Sequence, residues 1–526
     1  MEDRTLLTTF TVTNTGLGTG TTLDQAITAS NAATPGPNLI DFNIPTTDPG
    51  FNAITGIWTI APTTALPTII TPVTIDGTTQ SPTATHPVIE VNGTSAGAFP
   101  TEGFTVDAGA TTIRGLAIDQ FSNYAIFLEI SGGDTVVGNV IGLDPTGTTA
   151  LGNRSGVLVL SISNNTIGGT TAADRNIISG NSQDGVDIQG TGTLIQGNVV
   201  AGNYVGTDIT GTTALGNGGA GISILAASDN TIGGTVAGAG NVVSGNTGAG
   251  IQISIVTSSG QIASGNLVEG NLVGTDATGT RAVGNTGSGV IITDAAQNTV
   301  GGTVAAARNV IAANFEGVVL DENSAGLGTG NVIAGNYIGT DVNGTAALGN
   351  TEGVQVSTEN DTIGGTAAGA RNVISGNTAD GIEFVNNANF PSTSGVLIAG
   401  NSIGLDATGA AALGNTQDGI GISGATADTI GGTTAGAGNV ISGNALHGVN
   451  MSGTTGVLIE GNRIGTDATG TTGLGNGQEG ITIGGTSTGD TIGGTVAGAG
   501  NVISGDGFGT GGPFDGLALQ NAGVSG

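Results

Sequence analysis

The sequence predicts an all-β solenoid, and three observations support this prediction. Glycine is abundant, at 102 of 526 residues, whereas aromatic residues are rare, with 12 Phe, 3 Tyr and 1 Trp. The glycines separate short runs of Val and Ile, which favour β-strands, and they lack the strict three-residue period of collagen. The third observation is self-similarity along most of the chain, which is the signature of a repeat protein.

Two phrases define the repeat. The phrase I-G-G-T, with Val300 once in place of Ile, recurs in six copies, and so does G-[TL]-D. The aspartates of the second phrase are Asp144, Asp208, Asp276, Asp341, Asp406 and Asp467, at successive spacings of 64, 68, 65, 65 and 61 residues. The chain is therefore a series of super-repeats of about 65 residues.

Each super-repeat contains two strands that begin with a marker glycine followed by alternating aliphatic residues. The marker glycines are Gly156, Gly185, Gly221, Gly250, Gly289, Gly317, Gly353, Gly381, Gly419, Gly448, Gly480 and Gly516. Intervals of 28–29 residues mostly alternate with intervals of 32–39 residues. We interpret each interval as one coil of a parallel β-helix with three short strands, giving about 12 or more coils and two coils per super-repeat.

The residue pattern predicts what the coils bury. Residues alternate between the faces of a strand, so the first and third positions after each marker glycine are expected to face inward. These pairs are Val186/Ile188, Ile222/Ile224, Ile251/Ile253, Val318/Leu320, Ile382/Phe384 and Ile481/Ile483. The asparagines of the phrase S-G-N, and Asn314 at the equivalent place in the repeat, are expected to stack from coil to coil with their amides hydrogen-bonded: Asn181, Asn246, Asn314, Asn377 and Asn444.

The N-terminal part of the chain is predicted to cover the first coil. Residues 21–33 form a short amphipathic pattern typical of a helix, and the strand-like run N-L-I-D-F-N-I follows. We expect a cap over residues 1–70 and the β-helix over residues 71–526. Because the chain ends within a coil, we expect either further coils of a longer chain or a partner at its C-terminal end.

Several of these phrases carry a resemblance to known proteins. The segments GTGTTLDQAITASNA, NLIDFNI, NVISGN and GNYIGTDVNGTAALGN resemble bacterial right-handed β-helix repeat proteins of the pectin-lyase-like superfamily. The initial MEDRTLL is similar to a short segment near the N-termini of secreted planctomycete proteins. The resemblance covers nearly the whole chain and implies export to the cell surface or beyond it. It implies no single activity, because the superfamily includes polysaccharide lyases, hydrolases, epimerases, adhesins and passive stalks.

Composition limits the partners and the chemistry. The net charge of −31 argues against nucleic acid, and also against acidic polysaccharides unless a divalent cation bridges the like charges. No apolar run reaches membrane-spanning length. The absence of cysteine excludes thiol catalysis and disulfides, and neither histidine has companions for a Ser/His/Asp triad. The catalytic motifs implied by the resemblance, such as Asn-Thr-Asp with Gly-His-Gly, are absent.

One column of residues could nevertheless carry chemistry. The residues that precede successive marker glycines include four consecutive carboxylates followed by a histidine. Aligned coils would place these carboxylates about 5 Å apart, which suits glycoside hydrolysis with retention or a divalent cation. The alternative is a solvated acidic column of ordinary turn residues. The candidate catalytic residues are Glu352, Asp380, Glu383, Asp418 and His447.

A second group of carboxylates could bind metal. The candidate ligands, with Ca²⁺ as the candidate ion, are Glu316, Asp144, Asp208, Asp276, Asp341, Asp406 and Asp467. The alternative for the six aspartates is structural, because an Asp side chain can accept backbone N–H groups of the turn that follows it.

The uniform repeats favour a structural function, because an active site is expected to interrupt the repeat. We expect an extracellular or cell-surface scaffold, stalk or adhesin-like segment that binds a glycan or divalent cations. The alternative is a polysaccharide hydrolase or lyase that uses the acidic column on the outer face of coils 6–10. Tyr204 and Tyr337 are candidate platforms for a sugar ring. Ice binding is a weaker third hypothesis, since the threonines fall mainly in loops.

Overall fold

The chain is a right-handed parallel β-helix with three strands in each coil, as seen in a computed structural model. The structure describes residues 7–33, 36–192, 195–255, 262–324, 326–385, 393–507 and 515–520. The first part of the MEDRTLL segment and the end of the chain lie outside these ranges. The chain divides into two compact units, Met1–Gly248 and Ala249–Gly526. The division into a cap and a β-helix near residue 70 remains a proposal.

The first unit begins with the helix α1 (Leu23–Ala32) packed on its first two strands. Its strands are β1 (Thr9–Val12), β2 (Asn38–Phe42), β3 (Phe51–Asn52), β4 (Ile57–Ile60), β5 (Val73–Asp76), β6 (Ile89–Asn92), β7 (Phe104–Val106), β8 (Thr112–Arg114), β9 (Leu116–Asp119), β10 (Tyr124–Leu128), β11 (Thr135–Val137), β12 (Val140–Ile141), β13 (Ser155–Leu160), β14 (Thr166–Gly168), β15 (Ile177–Ile178), β16 (Val186–Gln189), β17 (Val199–Ala201), β18 (Tyr204–Val205), β19 (Ile222–Leu225), β20 (Thr231–Gly233) and β21 (Val242–Val243). Short 3₁₀ turns follow β5 and β6, at Gly77–Gln80 and Gly93–Ser95.

The second unit continues the same pattern. Its strands are β22 (Ile251–Ser254), β23 (Leu267–Glu269), β24 (Leu272–Val273), β25 (Val290–Thr293), β26 (Thr299–Gly301), β27 (Val310–Ile311), β28 (Glu316–Asp321), β29 (Val332–Ala334), β30 (Tyr337–Ile338), β31 (Glu352–Val356), β32 (Thr362–Gly364), β33 (Val373–Ile374), β34 (Ile382–Phe384), β35 (Leu397–Ala399), β36 (Ser402–Ile403), β37 (Ile420–Ser423), β38 (Thr429–Gly431), β39 (Val440–Ile441), β40 (Val449–Ser452), β41 (Leu458–Glu460), β42 (Arg463–Ile464), β43 (Ile481–Gly484), β44 (Thr491–Ile492), β45 (Val502–Ile503) and β46 (Leu517–Leu519). A 3₁₀ turn lies at Ala305–Ala307.

From β5 onwards, every third strand of a unit pairs with the next of its kind, so the strands of each unit form three sheets. In the first unit, sheet A holds β1, β2, β5, β8, β11, β14, β17 and β20, sheet B holds β3, β4, β6, β9, β12, β15, β18 and β21, and sheet C holds β7, β10, β13, β16 and β19. In the second unit, sheet A runs in steps of three from β23 to β44, sheet B from β24 to β45, and sheet C from β22 to β46. Among the strands that the structure describes, the pairing is parallel except between β3 and β4, where Phe51 opposes Trp58 in an antiparallel pair.

The core consists of aliphatic residues that repeat from coil to coil. Val186 pairs with Ile222 and Ile188 with Ile224 in sheet C, and all four side chains are fully buried. The inward positions predicted for the second unit are buried as well, from Ile251 to Ile483. Because one coil exposes its inner face until the next coil covers it, the repeat is the unit that makes this core.

Asparagine ladders run beside the core. In the second unit the side chains of successive coils donate from Nδ2 to Oδ1 over 2.9–3.2 Å. The members in chain order are Asn285, Asn314, Asn350, Asn377, Asn415, Asn444 and Asn476. The predicted stacking of the S-G-N asparagines is thus confirmed. An asparagine of the L-G-N phrase lies in the ladder between each two successive asparagines of this set. Each side chain satisfies buried polar groups of its neighbours.

The helix α1 is held at its start by Gln25, whose Oε1 accepts the backbone N–H of Thr22 at 3.2 Å. Leu23, Ala26 and Ile27 are buried, which is the apolar face expected from the sequence pattern. Among the described residues, no helix has the length and apolar character needed to cross a membrane.

Candidate functional site

The acidic column lies at the edge of sheet C in the second unit. Glu316 and Glu352 begin neighbouring strands and are direct register partners. Asp380, Asp418 and His447 occupy the same position in the following coils, each two residues before a strand. The structure therefore brings the predicted residues into one row, because parallel pairing in constant register converts equal repeat positions into neighbours.

Three carboxylates in this row bind the backbone of the next coil. Glu352 Oε2 accepts the N–H of Asp380 at 2.7 Å, and Asp380 Oδ1 accepts the N–H of Asp418 at 2.7 Å. Asp418 Oδ1 accepts the N–H of His447 at 2.8 Å. The first unit shows the same contact, with Asp184 Oδ1 accepting the N–H of Ala220 at 2.7 Å. The carboxylates thus connect successive coils, which is a structural reason for their repetition.

The row continues into a carboxylate–histidine–carboxylate group. His447 Nδ1 lies 2.7 Å from Asp418 Oδ1, and its Nε2 lies 3.2 Å from Glu479 Oε2. The Asn450 amide donates to Asp418 Oδ2 at 2.8 Å. All three ionisable side chains are at most 14% exposed. Glu479 precedes the marker glycine Gly480 and so belongs to the column, but its contact with His447 and the contact of Asn450 with Asp418 were not predicted.

Burial and charge divide the pKa values along the row. Burial raises the pKa of Glu352 and of Asp380 to about 7, and neighbouring carboxylates add to the rise. Burial also acts on Asp418, but hydrogen bonds from His447 and Asn450 outweigh it and lower the pKa. Burial alone would lower the pKa of His447, yet Asp418 and Glu479 together raise it. Near neutral pH, protonated and ionised carboxyls therefore coexist in adjacent coils.

Glu383 extends the row onto the strand surface. It lies on β34, in register with Gln355 on one side and Gly421 on the other. Burial, followed by the charge of Glu316, raises the pKa of Glu383. Gly421 makes room here, since a Cβ at this position would lie 2.6 Å from Asp380 Oδ2 and the Asp380 side chain would have to shift. The glycine leaves space that the Asp380 carboxylate occupies beside Glu383.

Glu316 is the one candidate metal ligand that belongs to this row. Its Oε2 accepts the hydroxyl of Ser288 at 2.7 Å. The other six candidates lie in six separate loops, one in each super-repeat. The described part of the chain contains no group of three or more His, Asp or Glu side chains arranged to hold a metal ion.

The six loop aspartates bind their own turns. Asp208 Oδ1 accepts the N–H groups of Thr212 at 3.0 Å and Thr213 at 3.1 Å, and the other five copies repeat this contact with the fourth and fifth residues after the Asp. Partial burial raises the pKa of Asp208, but these bonds outweigh it and lower the pKa overall. The turn-capping alternative for these residues therefore has direct contacts in its support.

The loops also bind each other. The N–H of Ile209 donates to the carbonyl of Gly147 at 2.9 Å, and that of Val342 donates to Gly279 at 2.9 Å. The same contact joins Ala407 to Gly344. Loops that belong to coils two apart therefore contact each other directly. This contact was not predicted, because two coil spacings separate the coils from which the loops project.

The two tyrosines that the sequence offered as sugar platforms are partly covered. The guanidinium of Arg175 lies 4.1 Å from the ring centre of Tyr204, and that of Arg308 lies 4.1 Å from the ring centre of Tyr337. One face of each ring is therefore occupied by a cation rather than open to a sugar. The segment between β34 and β35, where the sequence departs from the regular repeat, includes residues 386–392, which lie outside the described residues.

The three parallel sheets place the chain in the class of right-handed parallel β-helix proteins. It is similar to the periplasmic alginate epimerase AlgG, at 14% identity over 86% of this chain and 77% of that chain, with a TM-score of 0.37. It is also similar to PfbA, a surface adhesin of Streptococcus pneumoniae, at 13% identity over 89% of this chain and 86% of that chain, with a TM-score of 0.32. A third similar structure is the Azotobacter vinelandii mannuronan C-5 epimerase AlgE4 A-module, at 14% identity over 96% of this chain and 95% of that chain, with a TM-score of 0.29.

These likenesses concern the fold alone. No family model matches the sequence, and no curated protein matches it. Nothing in the comparisons supports the planctomycete origin suggested by the first residues.

Proposed function

We propose that the chain is an extracellular β-helix scaffold, a stalk or adhesin-like segment, that presents its acidic column to a neutral glycan. The observation that supports a scaffold is the succession of carboxylate-to-backbone hydrogen bonds through Glu352, Asp380 and Asp418. The same bond occurs at Asp184, where no cluster of acidic residues follows. The repeated acidic residue is therefore explained by coil stacking before any chemistry is invoked.

The column also suits hydroxyl groups. Carboxylates accept hydrogen bonds from sugar hydroxyls, and the amides of Gln355 and Asn450 can donate as well as accept. Gln355 and Asn450 lie on β31 and β40, and Glu383 lies between them on β34, so the row offers a series of similar contacts to a chain of similar sugar units. The net charge of −31 favours a neutral glycan, because a polyuronate would be repelled.

The proposal is tested by measuring the binding of the chain to immobilised neutral polysaccharides, such as xylan and glucan. Binding to an acidic polysaccharide is measured for comparison at the same salt concentration. We expect a neutral glycan to bind and Asp380→Asn to weaken the binding at least several-fold. Asp184→Asn is the matched control, because it makes the same change at the equivalent backbone contact in the first unit and should leave binding unchanged. Equal loss in both variants, or binding of no neutral glycan, would contradict the proposal.

A second candidate function is glycoside hydrolysis, and one observation favours it. The pKa of Asp380 is raised to about 7 while that of its neighbour Asp418 is lowered, which is the division that acid and base catalysts need. In such a reaction Asp380 would give its proton to the glycosidic oxygen as the bond to the anomeric carbon breaks. Asp418 or Glu383 would bond to that carbon as the nucleophile, with His447 holding Asp418 in place. Water would then displace this carboxylate and supply the hydroxyl to the carbon, while Asp380 takes the remaining proton of the water.

Release of reducing sugar from neutral and acidic polysaccharides separates the two functions. If the chain is an enzyme, Asp380→Asn and Glu383→Gln should abolish release while the melting temperature stays within a few degrees of the wild-type value. Turnover retained in both variants would exclude this acid–base assignment. If the wild-type chain binds a glycan but releases no reducing sugar from it, the result supports the scaffold function.

A further inference from the structure

A cavity of about 450 Å³ lies in the first unit, apart from the acidic column. It is bordered by the segment that follows β5, by the turns before β9 and β12, and by the loop that precedes β15. Its volume falls within the range of about 300–1,000 Å³ that is typical of small-molecule sites. The cavity is therefore large enough for a compound of one or two sugar rings.

The ionisable side chains that line this cavity are basic, although the chain as a whole is strongly acidic. Arg114, Arg175 and His86 line it, and none of the residues that line it is Asp or Glu. The whole chain has only 8 Lys and Arg but 39 Asp and Glu. A concave site with low-dielectric walls concentrates the field of such side chains, so the local preference is for a negative group.

The guanidinium of Arg175 is held in place. Its Nε donates to the carbonyl of Gly202 at 3.2 Å, and the group stacks on Tyr204 at 4.1 Å. The Nε contact uses one of the five N–H donors of an arginine. The stacking contacts the face of the guanidinium, so the other donors, which lie in its plane, can still bind a ligand. A side chain that is already ordered loses little conformational entropy when it binds a ligand.

Arg114 and His86 complete the polar part of the lining. Arg114 Nε lies 3.7 Å from Asp76 Oδ1, which is a long ion pair, and Asp76 also accepts the N–H of Thr78 at 3.0 Å. His86 Nδ1 lies 2.9 Å from the carbonyl oxygen of Pro87. Since a carbonyl only accepts, this contact places a proton on Nδ1. Hydroxyl groups of Thr78, Ser81 and Thr85 and the apolar Pro82, Ala84 and Val88 line the rest.

We propose that this cavity binds the oxyanion group of a small molecule, a carboxylate, phosphate or sulfate ester, with Arg114 and Arg175 as its principal ligands. Arginine donors pair with planar or tetrahedral oxyanions through two parallel hydrogen bonds. The neutral part of the ligand contacts the hydroxyl and apolar lining. The site is independent of the glycan-binding function proposed for the second unit.

Isothermal titration calorimetry tests this site with four probes: inorganic phosphate, glucose 6-phosphate, glucuronate and glucose. We expect saturable binding of at least one anionic probe and none of glucose. The pattern among the anionic probes distinguishes a sugar acid, a sugar phosphate and free phosphate as the source of the oxyanion. Arg114→Gln and Arg175→Gln should each weaken binding at least about 10-fold, because each removes a charge-assisted hydrogen bond.

Arg308→Gln is the matched control for Arg175→Gln. Arg308 donates to the carbonyl of Gly335 at 3.2 Å and stacks on Tyr337 at 4.1 Å, but it does not line this cavity. The two variants should therefore lower the melting temperature equally, and only Arg175→Gln should weaken binding. The proposal is overturned if no anionic probe binds at concentrations up to about 10 mM, or if Arg308→Gln reduces binding as much as Arg175→Gln.

Discussion

Asn350 offers the sharpest test of the ladder that runs through the second unit. Its Oδ1 accepts the backbone N–H of Asn314 at 3.0 Å and the Nδ2 of the same residue at 3.2 Å. Its own Nδ2 donates to the carbonyl of Ile311 at 3.0 Å and to Asn377 Oδ1 at 3.1 Å. The side chain is 1% exposed, so water cannot replace these contacts without opening the coil.

The substitution Asn350→Ala removes all four hydrogen bonds and leaves their partners buried. At about 1 kcal/mol for each lost bond, the free energy of unfolding should fall by about 4 kcal/mol. A partner that stays desolvated without a hydrogen bond increases this cost. The loss should be local at first, because each coil contacts only its neighbours in a repeat protein.

Urea denaturation and hydrogen exchange measure the two effects. We expect a lower midpoint and a much faster exchange of the Asn314 amide, whose acceptor has been deleted. Asn343→Ala is the matched control, since this exposed asparagine makes a single side-chain contact, to Asp341 at 2.9 Å, and should cost less than about 1 kcal/mol. The reasoning is refuted if Asn350→Ala costs no more than Asn343→Ala while the Asn314 amide keeps its protection.

Four further predictions concern the core, a turn, the column and the loops. Ile224→Ala should lower the free energy of unfolding by about 2–5 kcal/mol in urea denaturation, because it opens a cavity at a fully buried position. Gly206→Ala should lower the free energy of unfolding by more than about 1 kcal/mol in the same assay, since φ is +93° there and the new Cβ would lie 2.2 Å from the carbonyl oxygen of Ser244. The control is Gly500→Ala, which should change this free energy very little because its Cβ meets open space. His447→Gln should destabilise the chain more at pH 5.5 than at pH 9 in thermal melts. Because folding raises the pKa of His447, this residue stabilises the chain fully at pH values below its ordinary pKa of 6.5, and the stabilisation disappears as the pH rises through the folded-state pKa. A difference that grows towards pH 9 would contradict this sign. A calcium chelator should shift the melting temperature by no more than a degree or two, because each loop aspartate already accepts two backbone N–H groups; a large drop would show that these loops hold calcium.

The periodicity of the sequence was sufficient to predict the buried residues. Inward positions such as Ile222 and Ile224 follow from the marker glycine and the alternation of a strand, and both are fully buried. The S-G-N asparagines followed from the same logic. This part succeeded because a solenoid repeats one local environment, so a residue that recurs at a fixed place in the repeat has the same neighbours each time.

Other features could not be predicted from the repeat alone. A second ladder links Asn139, Asn176, Asn203 and Asn241. The phrases G-N and R-N contain its members, but only the folded chain shows that they stack. The direct contact between loops that are two coils apart also depends on the angle and distance at which each loop projects from its coil. Such distances are set by turn geometry, which the repeat length does not encode.

The sequence by itself determined the coil, its core and the row of acidic residues, because a constant repeat length forces equal positions into register. Only the tertiary structure decided how those acidic residues are used. It places one oxygen of Glu352, Asp380 and Asp418 on the backbone of the next coil, and it joins Asp418 and Glu479 through His447. It also collects Arg114 and Arg175, from unrelated places in the repeat, around one cavity. Hydrogen-bond partners and pKa values depend on distances of a few tenths of an ångström and on burial, and both exist only once neighbouring coils are packed.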